Sequence, residues 1–76
     1  MIIEGDILNK KAFRAKMEYH GDNYDSIAAF LGITTQTVSN KVNGLYSFTQ
    51  QEITKLKERW NLTNDEVNEI FFYPVS

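Results

Sequence analysis

Apolar residues recur at helical spacing through most of this chain, and residues 23–44 show the pattern most clearly. The first part of that stretch repeats apolar positions as one face of a helix does: Ile27, Ala28, Phe30 and Leu31. Gly32 follows where such a helix should end, because glycine readily adopts the left-handed conformation found at helix C-termini. Val38 and Val42 then give a second helix a narrow apolar edge. The pattern predicts two short helices joined by a tight turn.

The ends of both predicted helices carry capping residues. Asn23 can cap the first helix and Thr34 the second, since short polar side chains accept a hydrogen bond from an unpaired N–H of the first turn. Ile33 and Val38 flank the second cap as a hydrophobic staple. Gly44 ends the second helix, whose other face is predicted to be polar: Thr35, Gln36, Thr37, Ser39, Asn40 and Lys41.

The positions of three residues relative to one another make the two-helix pattern specific. A small residue, Ala28, lies four positions before Gly32, and the apolar Val38 lies six after it. The small side chain lets the helices approach, the glycine permits the turn, and the valine joins a shared core, as in a helix-turn-helix. The segment IAAFLGITTQTVSNKVNG, residues 27–44, resembles the Cro and phage-repressor type of helix-turn-helix, the XRE-like family of bacterial and phage regulators. Lys41 departs from that family, which often has an apolar residue there, and Val42 is predicted to take the core role.

The rest of the chain predicts three more helices. Asp6 or Asn9 can cap a first helix that runs to about Tyr19, with Phe13 and Met17 facing inward. Lys10, Lys11 and Arg14 would form a basic flank on it, either as a solvated surface or as phosphate contacts.

Two later segments carry the complete signature of a helix start. In FTQQEI, residues 48–53, Thr49 and Glu52 form a capping box beside a staple from Phe48 to Ile53. The segment LTNDEVNEIFF, residues 62–72, repeats the device with Thr63, Glu66, Leu62 and Val67. Leu56 and Trp60 should face the core. The last helix should end between Phe71 and Tyr73, before Pro74, and no strand is predicted.

Composition and length set the class of protein. At 76 residues the chain is predicted to be a single all-α domain, residues 1–76, with 42% hydrophobic and 24% charged residues. The absence of cysteine excludes disulfides and thiolate metal sites. No apolar run approaches a membrane span, and the start lacks the order of a signal peptide, so a cytoplasmic location is expected.

The charge distribution bears on a nucleic-acid partner. The net charge of −2 argues mildly against DNA, because DNA-binding domains are usually basic. Bases nevertheless outnumber acids from residue 7 to residue 57, and only acids follow Trp60. We expect a basic front, an acidic back and a strongly salt-dependent affinity.

The candidate site is the second helix of the motif. In helix-turn-helix docking this helix enters the major groove N-terminus first, so Thr35, Gln36 and Asn40 should reach base edges. The two amides can donate and accept together, which matches adenine N6 and N7, and Thr35 can contact a thymine methyl or a base oxygen. Phosphate contacts are predicted for residues at helix ends and on the basic flank: Asn23, Tyr24, Thr34, Lys41, Asn43, Lys10, Lys11 and Arg14. The alternative for this face is a polar, solvated helix surface.

Two other features have competing interpretations. Phe71, Phe72 and Tyr73 either pack the last helix into the core or offer one aromatic side chain to a homodimer partner. His20 is the only histidine, and since no second ligand or nucleophile accompanies it, we expect a structural or exposed residue.

The resemblance implies a five-helix, lambda-repressor-like DNA-binding domain with helices two and three as the helix-turn-helix. It also implies sequence-specific binding to a double-stranded operator by a Cro- or repressor-like transcriptional regulator without a separate effector domain. Repression by promoter occupancy is the simplest mechanism. The alternatives are an antirepressor or modulator that binds another regulator protein, or an antitoxin. The sequence has no catalytic set, glycine-rich phosphate loop or metal cluster, so we expect no enzyme activity and no cofactor.

Overall fold

A computed structural model describes residues 6–74 of the chain, and the side chains of residues 8–72. Within that part the chain forms five helices: α1 Lys10–Tyr19, α2 Tyr24–Leu31, α3 Thr35–Val42, α4 Gln50–Arg59 and α5 Asn64–Phe71. Two-residue strands flank them, β1 Asp6–Ile7 and β2 Tyr73–Pro74. The all-α expectation is confirmed. The sequence also suggests that the apolar Ile2 and Ile3 pack on the core or pair with a partner, and both residues lie outside the described range.

Local capping explains where the helices begin. The side chain of Asn9, not that of Asp6, caps α1 and accepts a hydrogen bond from the Ala12 N–H at 3.2 Å. At α4 the Thr49 hydroxyl accepts from the Glu52 N–H at 3.1 Å, while Glu52 accepts from the Thr49 N–H at 2.9 Å. Thr63 and Glu66 repeat this capping box at α5 with the same distances. Both boxes are those the sequence predicted.

The core is a cluster of aromatic and aliphatic side chains to which all five helices contribute. Phe13 of α1 lies at its centre and is fully buried. Its ring stacks on Phe48 at 5.5 Å between centroids and meets Trp60 and Phe71 edge-on at 5.3 Å and 6.1 Å. Such ring pairs add to the stabilisation that burial gives. The predicted inward positions on α1 and α4 are therefore core positions.

The strand pair is a feature that the sequence analysis did not predict. β1 and β2 run antiparallel, with Asp6 opposite Pro74 and Ile7 opposite Tyr73. Pro74 was expected only to end α5. A two-residue strand has no readable alternation, and proline, which lacks an N–H, is tolerated at a sheet edge.

Asp22, in the turn after α1, joins that turn to α4. The Arg59 guanidinium donates to both carboxylate oxygens at 2.9 Å and 2.7 Å. Trp60 Nε1 donates at 2.7 Å and the Ser26 hydroxyl at 2.9 Å. The Arg59 hydrogen bonds, with those from Trp60 and Ser26, hold the pKa of Asp22 well below its ordinary value despite its burial. This carboxylate therefore fixes the start of α2 against the end of α4.

Candidate nucleic-acid interface

The turn between α2 and α3 is built around Gly32. This glycine has φ of 75°, in the left-handed region. Its N–H and the N–H of Ile33 both donate to the Ala28 carbonyl oxygen, at 2.9 Å and 3.0 Å. α2 and α3 form the most extensive helix-to-helix contact of the described chain. The three-residue connection therefore fixes α3 against α2, as the sequence predicted.

The start of α2 is held by a reciprocal capping box and not by a single capping hydrogen bond. Asn23 Oδ1 accepts from the Ser26 N–H at 2.8 Å, and the Ser26 hydroxyl accepts from the Asn23 N–H at 2.9 Å. Only the Asn23 cap was expected. The predicted phosphate ligand Asn23 is thus also a structural cap, and Tyr24 beside it is half-buried and packs on the core.

The inward face of α3 follows the prediction. Val38 and Val42 are buried in the core, and the half-buried Ile33 packs against it. The Thr34 hydroxyl accepts from the Thr37 N–H at 3.0 Å and lies 2.8 Å from the Thr37 hydroxyl. Hydroxyls thus provide the cap, and the first turn of α3 contains no acidic residue.

The outward face of α3 carries the three predicted base-contact residues. Gln36 is exposed, Asn40 is half-buried, and Gln36 Nε2 donates to Asn40 Oδ1 at 3.0 Å. The two amides lie one turn apart on one face, so their remaining donors and acceptors are presented together. The Thr35 hydroxyl donates to Asp25 Oδ1 at 2.7 Å. Asp25 is a member of this surface that the sequence analysis missed, because only the packing of α2 on α3 brings it near Thr35.

Lys41 does not lie on the polar face where it was expected. The residue is 9% exposed, and its ammonium lies 2.9 Å from Glu52 Oε1 and donates to the Ser47 carbonyl oxygen at 3.0 Å. A long aliphatic stem allows lysine to occupy a core position when its charge finds a partner. Burial opposes the ionised Glu52, but the Thr49 N–H and Lys41 lower the pKa of Glu52 overall. The Lys41 ammonium is therefore committed to the fold and is not among the proposed phosphate contacts.

The basic flank of α1 lies beside the end of α3. Lys10 Nζ donates to Asn43 Oδ1 at 2.7 Å, across 33 positions of sequence. Lys11 and Arg14 are exposed on the same helix. Two predicted phosphate ligands from distant parts of the chain, Lys10 and Asn43, are thus in direct contact. The first residue of the flank therefore lies against the C-terminal cap of α3.

The ion pairs of the described side chains involve basic residues outside this flank. Elsewhere in the described part of the chain, Lys16 pairs with Glu66 at 2.7 Å and Arg59 with Asp22. No such pair involves Lys10, Lys11 or Arg14 in residues 8–72. Exposed pairs contribute little energy but cancel local charge, so the first turns of α1 keep their positive charges, as does the exposed Lys55 of α4.

The remaining candidate residues are the aromatic side chains at the end of α5 and the histidine His20. Phe71 is buried, and the half-buried Phe72 packs on the core. Among the described side chains, no exposed aromatic residue of α5 therefore supports a dimer through this helix. The side chain of Tyr73 is not one of those described. His20 is exposed, with its ring stacked on Trp60 at 6.0 Å.

Residues 6–74 contain neither a cluster of side chains suited to hold a metal ion nor a helix long and apolar enough to span a bilayer. Comparison of the sequence and structure with protein families, curated proteins and solved structures gives no match.

Proposed function

We propose that this protein binds double-stranded DNA in a sequence-specific way, with α3 in the major groove, and regulates transcription by occupying a promoter. The proposal includes a lambda-repressor-like arrangement in which α2 and α3 act as the helix-turn-helix. The XRE-like pattern of residues 27–44 is what suggests this arrangement.

The observation that carries the proposal is the amide pair on the outward face of α3. Gln36 and Asn40 are held side by side on a helix whose opposite face is core. A carboxamide can match the donor and acceptor that adenine presents in the major groove, and a good bidentate contact discriminates by about 1–3 kcal/mol. Thr35, at the start of the same helix, lies where such helices first meet base edges.

The contact between the basic flank and the end of α3 supports the same proposal. Lysine and arginine contacts to phosphates fix the register of a protein on the duplex without reading sequence. The Lys10–Asn43 hydrogen bond holds Lys10 at the C-terminal end of α3, and Lys11 and Arg14 are exposed on the same helix as Lys10. Phosphates that flank the groove would lie against this flank while α3 contacts the bases.

A second candidate function rests on Asp25. Its carboxylate accepts a hydrogen bond from Thr35, at the end of α3 that should enter the groove. An exposed negative charge at this end repels the phosphates of DNA. That charge and the overall net charge of −2 suit a basic protein partner, such as another regulator. Under this alternative the same face of α3 contacts a protein, and the chain acts as a modulator.

Selection from a random pool of DNA duplexes decides between the two functions. The proposal predicts a sequence motif that contains adenine, and fluorescence anisotropy should show weaker binding to that motif after Asn40→Ala. Asn68→Ala, at an exposed asparagine of α5, is the matched control and should bind as the parent does. Enrichment of no motif, together with capture of a basic regulator protein, would favour the modulator.

A further inference from the structure

The hydroxyl proton of Thr35 is already used inside the protein. Thr35 is the first residue of α3, and its hydroxyl donates to Asp25 Oδ1 at 2.7 Å. A threonine hydroxyl carries a single proton. While this hydrogen bond persists, Thr35 can accept a hydrogen bond from a base or contact a base with its methyl group. A base oxygen, which needs a donor, is then not a ligand for this hydroxyl.

The packing of α2 on α3 holds Asp25 beside Thr35. Asp25 is the second residue of α2, whose start is fixed by the reciprocal capping box of Asn23 and Ser26. The turn at Gly32 and the contact between the two helices fix the start of α2 relative to the start of α3. Asp25 is exposed, and none of the ion pairs between the described side chains involves it. Its carboxylate therefore offers acceptor oxygens and a negative charge at this place.

A pair of acceptors without a donor matches one base edge of the major groove better than the others. Cytosine presents its N4 amino donor there, and carboxylates are known partners of that group. Adenine places the N7 acceptor beside its amino group, guanine presents two acceptors, and thymine presents an acceptor and a methyl group. An acceptor of the protein beside an acceptor of a base is unfavourable, because neither group supplies a proton. Cytosine is therefore the base that suits Asp25 and Thr35.

We propose that Asp25 and Thr35 together recognise the amino group of a cytosine, close to the base pair that Gln36 contacts. The inference deepens the proposed function and rests on it. In helix-turn-helix docking, the first residues of the second helix meet base edges, and the Asp25 carboxylate lies one hydrogen bond from that position. Asp25 acts as an acceptor for the base and keeps the Thr35 hydroxyl in the role of an acceptor.

The charge of Asp25 has a second effect, which opposes affinity. An exposed carboxylate at the edge of the groove repels phosphates whatever the base sequence. Binding to random DNA should therefore be weaker than it would be without the charge, while a sequence with the matching cytosine regains part of the loss. Asp25 thus raises the ratio of selected to random affinity at the expense of affinity itself. A residue that only supported the fold would not have these two opposite effects.

Selection from random duplexes with the parent, Asp25→Asn and Thr35→Val tests the base assignment. The parent motif should contain a cytosine at a fixed position near an adenine. Asp25→Asn introduces an NH₂ donor, and Thr35→Val removes the hydroxyl without changing the branching of the side chain. In both variants the preference for cytosine over guanine at this position should fall about tenfold. Asp65→Asn is the matched control, since Asp65 is the exposed second residue of α5, and it should select the parent motif.

Affinity for random DNA separates the two variants from each other. At about 0.1 M salt, Asp25→Asn should bind random duplexes several-fold more tightly than the parent does. This gain should shrink as the salt concentration rises, because screening weakens the repulsion between the carboxylate and the phosphates. Thr35→Val keeps the carboxylate and should bind random DNA as the parent does. Asp65→Asn, which changes a charge on α5, should also match the parent.

Each contrary result has its own meaning. If the parent selects a motif and both variants keep its base preferences, the inference is wrong and the proposed function stands. If Asp25→Asn alters only the affinity for random DNA, Asp25 is a repulsive charge that does not recognise a base, and the inference is again wrong. If the parent selects no motif, the proposed function fails and the inference fails with it.

Discussion

α3 and α4 begin in the same way and then differ in what their surfaces offer. Each starts with a threonine cap, Thr34 or Thr49, whose hydroxyl accepts a backbone N–H of the first turn. In α4 the cap is completed by Glu52, which lies on the helix N-terminus and pairs with Lys41. In α3 the third position is Thr37, so the first turn carries hydroxyls and amides without a carboxylate of its own.

Under the proposed function, this difference separates the helix that stabilises the fold from the helix that binds DNA. A carboxylate at a helix N-terminus stabilises the helix through the backbone dipole, but it also repels phosphate. α4 and α5 both have the acidic capping box, and their inward residues form much of the core. The α3 helix lacks that stabilising charge and keeps its N-terminus compatible with DNA, although Asp25 of α2 adds a carboxylate nearby. Changes in the α4 region should therefore alter folding, and changes on the outward face of α3 should alter binding.

The largest effect should come from Trp60→Ala. Trp60 is 2% exposed and packs against Phe13 in the core, so its truncation should cost about 3–5 kcal/mol of unfolding free energy. Such a loss is a large part of the stability of a small domain. Denaturant unfolding measures it, with Tyr19→Ala as the control at an exposed aromatic. Equal stabilities of the two variants would show that Trp60 is not a core residue.

A smaller loss of unfolding free energy is expected from Asp22→Asn. The change removes charged hydrogen bonds with Arg59, each worth about 1.5–3 kcal/mol at most, and solvent around the part-exposed Arg59 reduces the effect. The folded-state pKa of Asp22 is lowered, so its contribution is present above the ordinary value of 3.8 and declines as the pH falls below it. Parent and variant should therefore differ in stability at neutral pH and converge in acid. A stability gap that stays constant below pH 3.8 contradicts the assignment.

Alanine variants of the two capping threonines test the comparison of α3 with α4. Thr49→Ala should cost about 0.5–2 kcal/mol, because one capping bond is removed while Glu52 remains. Thr34→Ala should cost a similar amount of stability, since its hydroxyl caps α3 in the same way. Only Thr34→Ala should also weaken DNA binding. A loss of DNA affinity in both variants, measured at a temperature where both are folded, would remove the distinction between the two helices.

The smallest effects should come from single charges of the basic flank. Lys11→Ala or Arg14→Ala should weaken binding to selected and random DNA alike. Each should reduce the magnitude of the log–log salt slope by about 0.9, because the variant neutralises one phosphate fewer than the parent does. Lys55→Ala, at an exposed lysine of α4, is the control. Salt slopes that do not change in either flank variant would assign Lys11 and Arg14 to a solvated surface.

Local signals account for what the sequence predicted well. The caps at Thr34, Thr49 and Thr63 depend on hydrogen bonds within three positions, so they are readable from short segments. Gly32 is readable for the same reason, since only its own backbone conformation matters. The helix positions and the inward face of each helix follow from these signals and the apolar period.

Long-range contacts account for what the sequence analysis missed. The Lys41–Glu52 pair joins two helices. Lys41 follows Val38 by three positions and adjoins Val42, so the spacing allows a place on the apolar edge of α3, but lysine is usually exposed and its partner Glu52 is distant in sequence. The hydrogen bonds of Asp22 with Arg59 and Trp60 span 37 and 38 positions. The contact of Asp25 with Thr35 depends on the packing of α2 against α3. These polar contacts form only when the helices pack together, so the sequence alone does not indicate them.

Gln36→Ala tests the central claim that α3 reads bases. Gln36 is exposed, so its truncation leaves the core and the Thr34 cap in place and should hardly alter the thermal melt. Affinity for the motif selected by the parent should fall by about 1–3 kcal/mol, with relaxed preference at one base pair per half-site. Affinity for random DNA should stay the same, because every proposed phosphate ligand remains in place. If Gln36→Ala binds the selected motif as tightly and as selectively as the parent, α3 does not read DNA through this face.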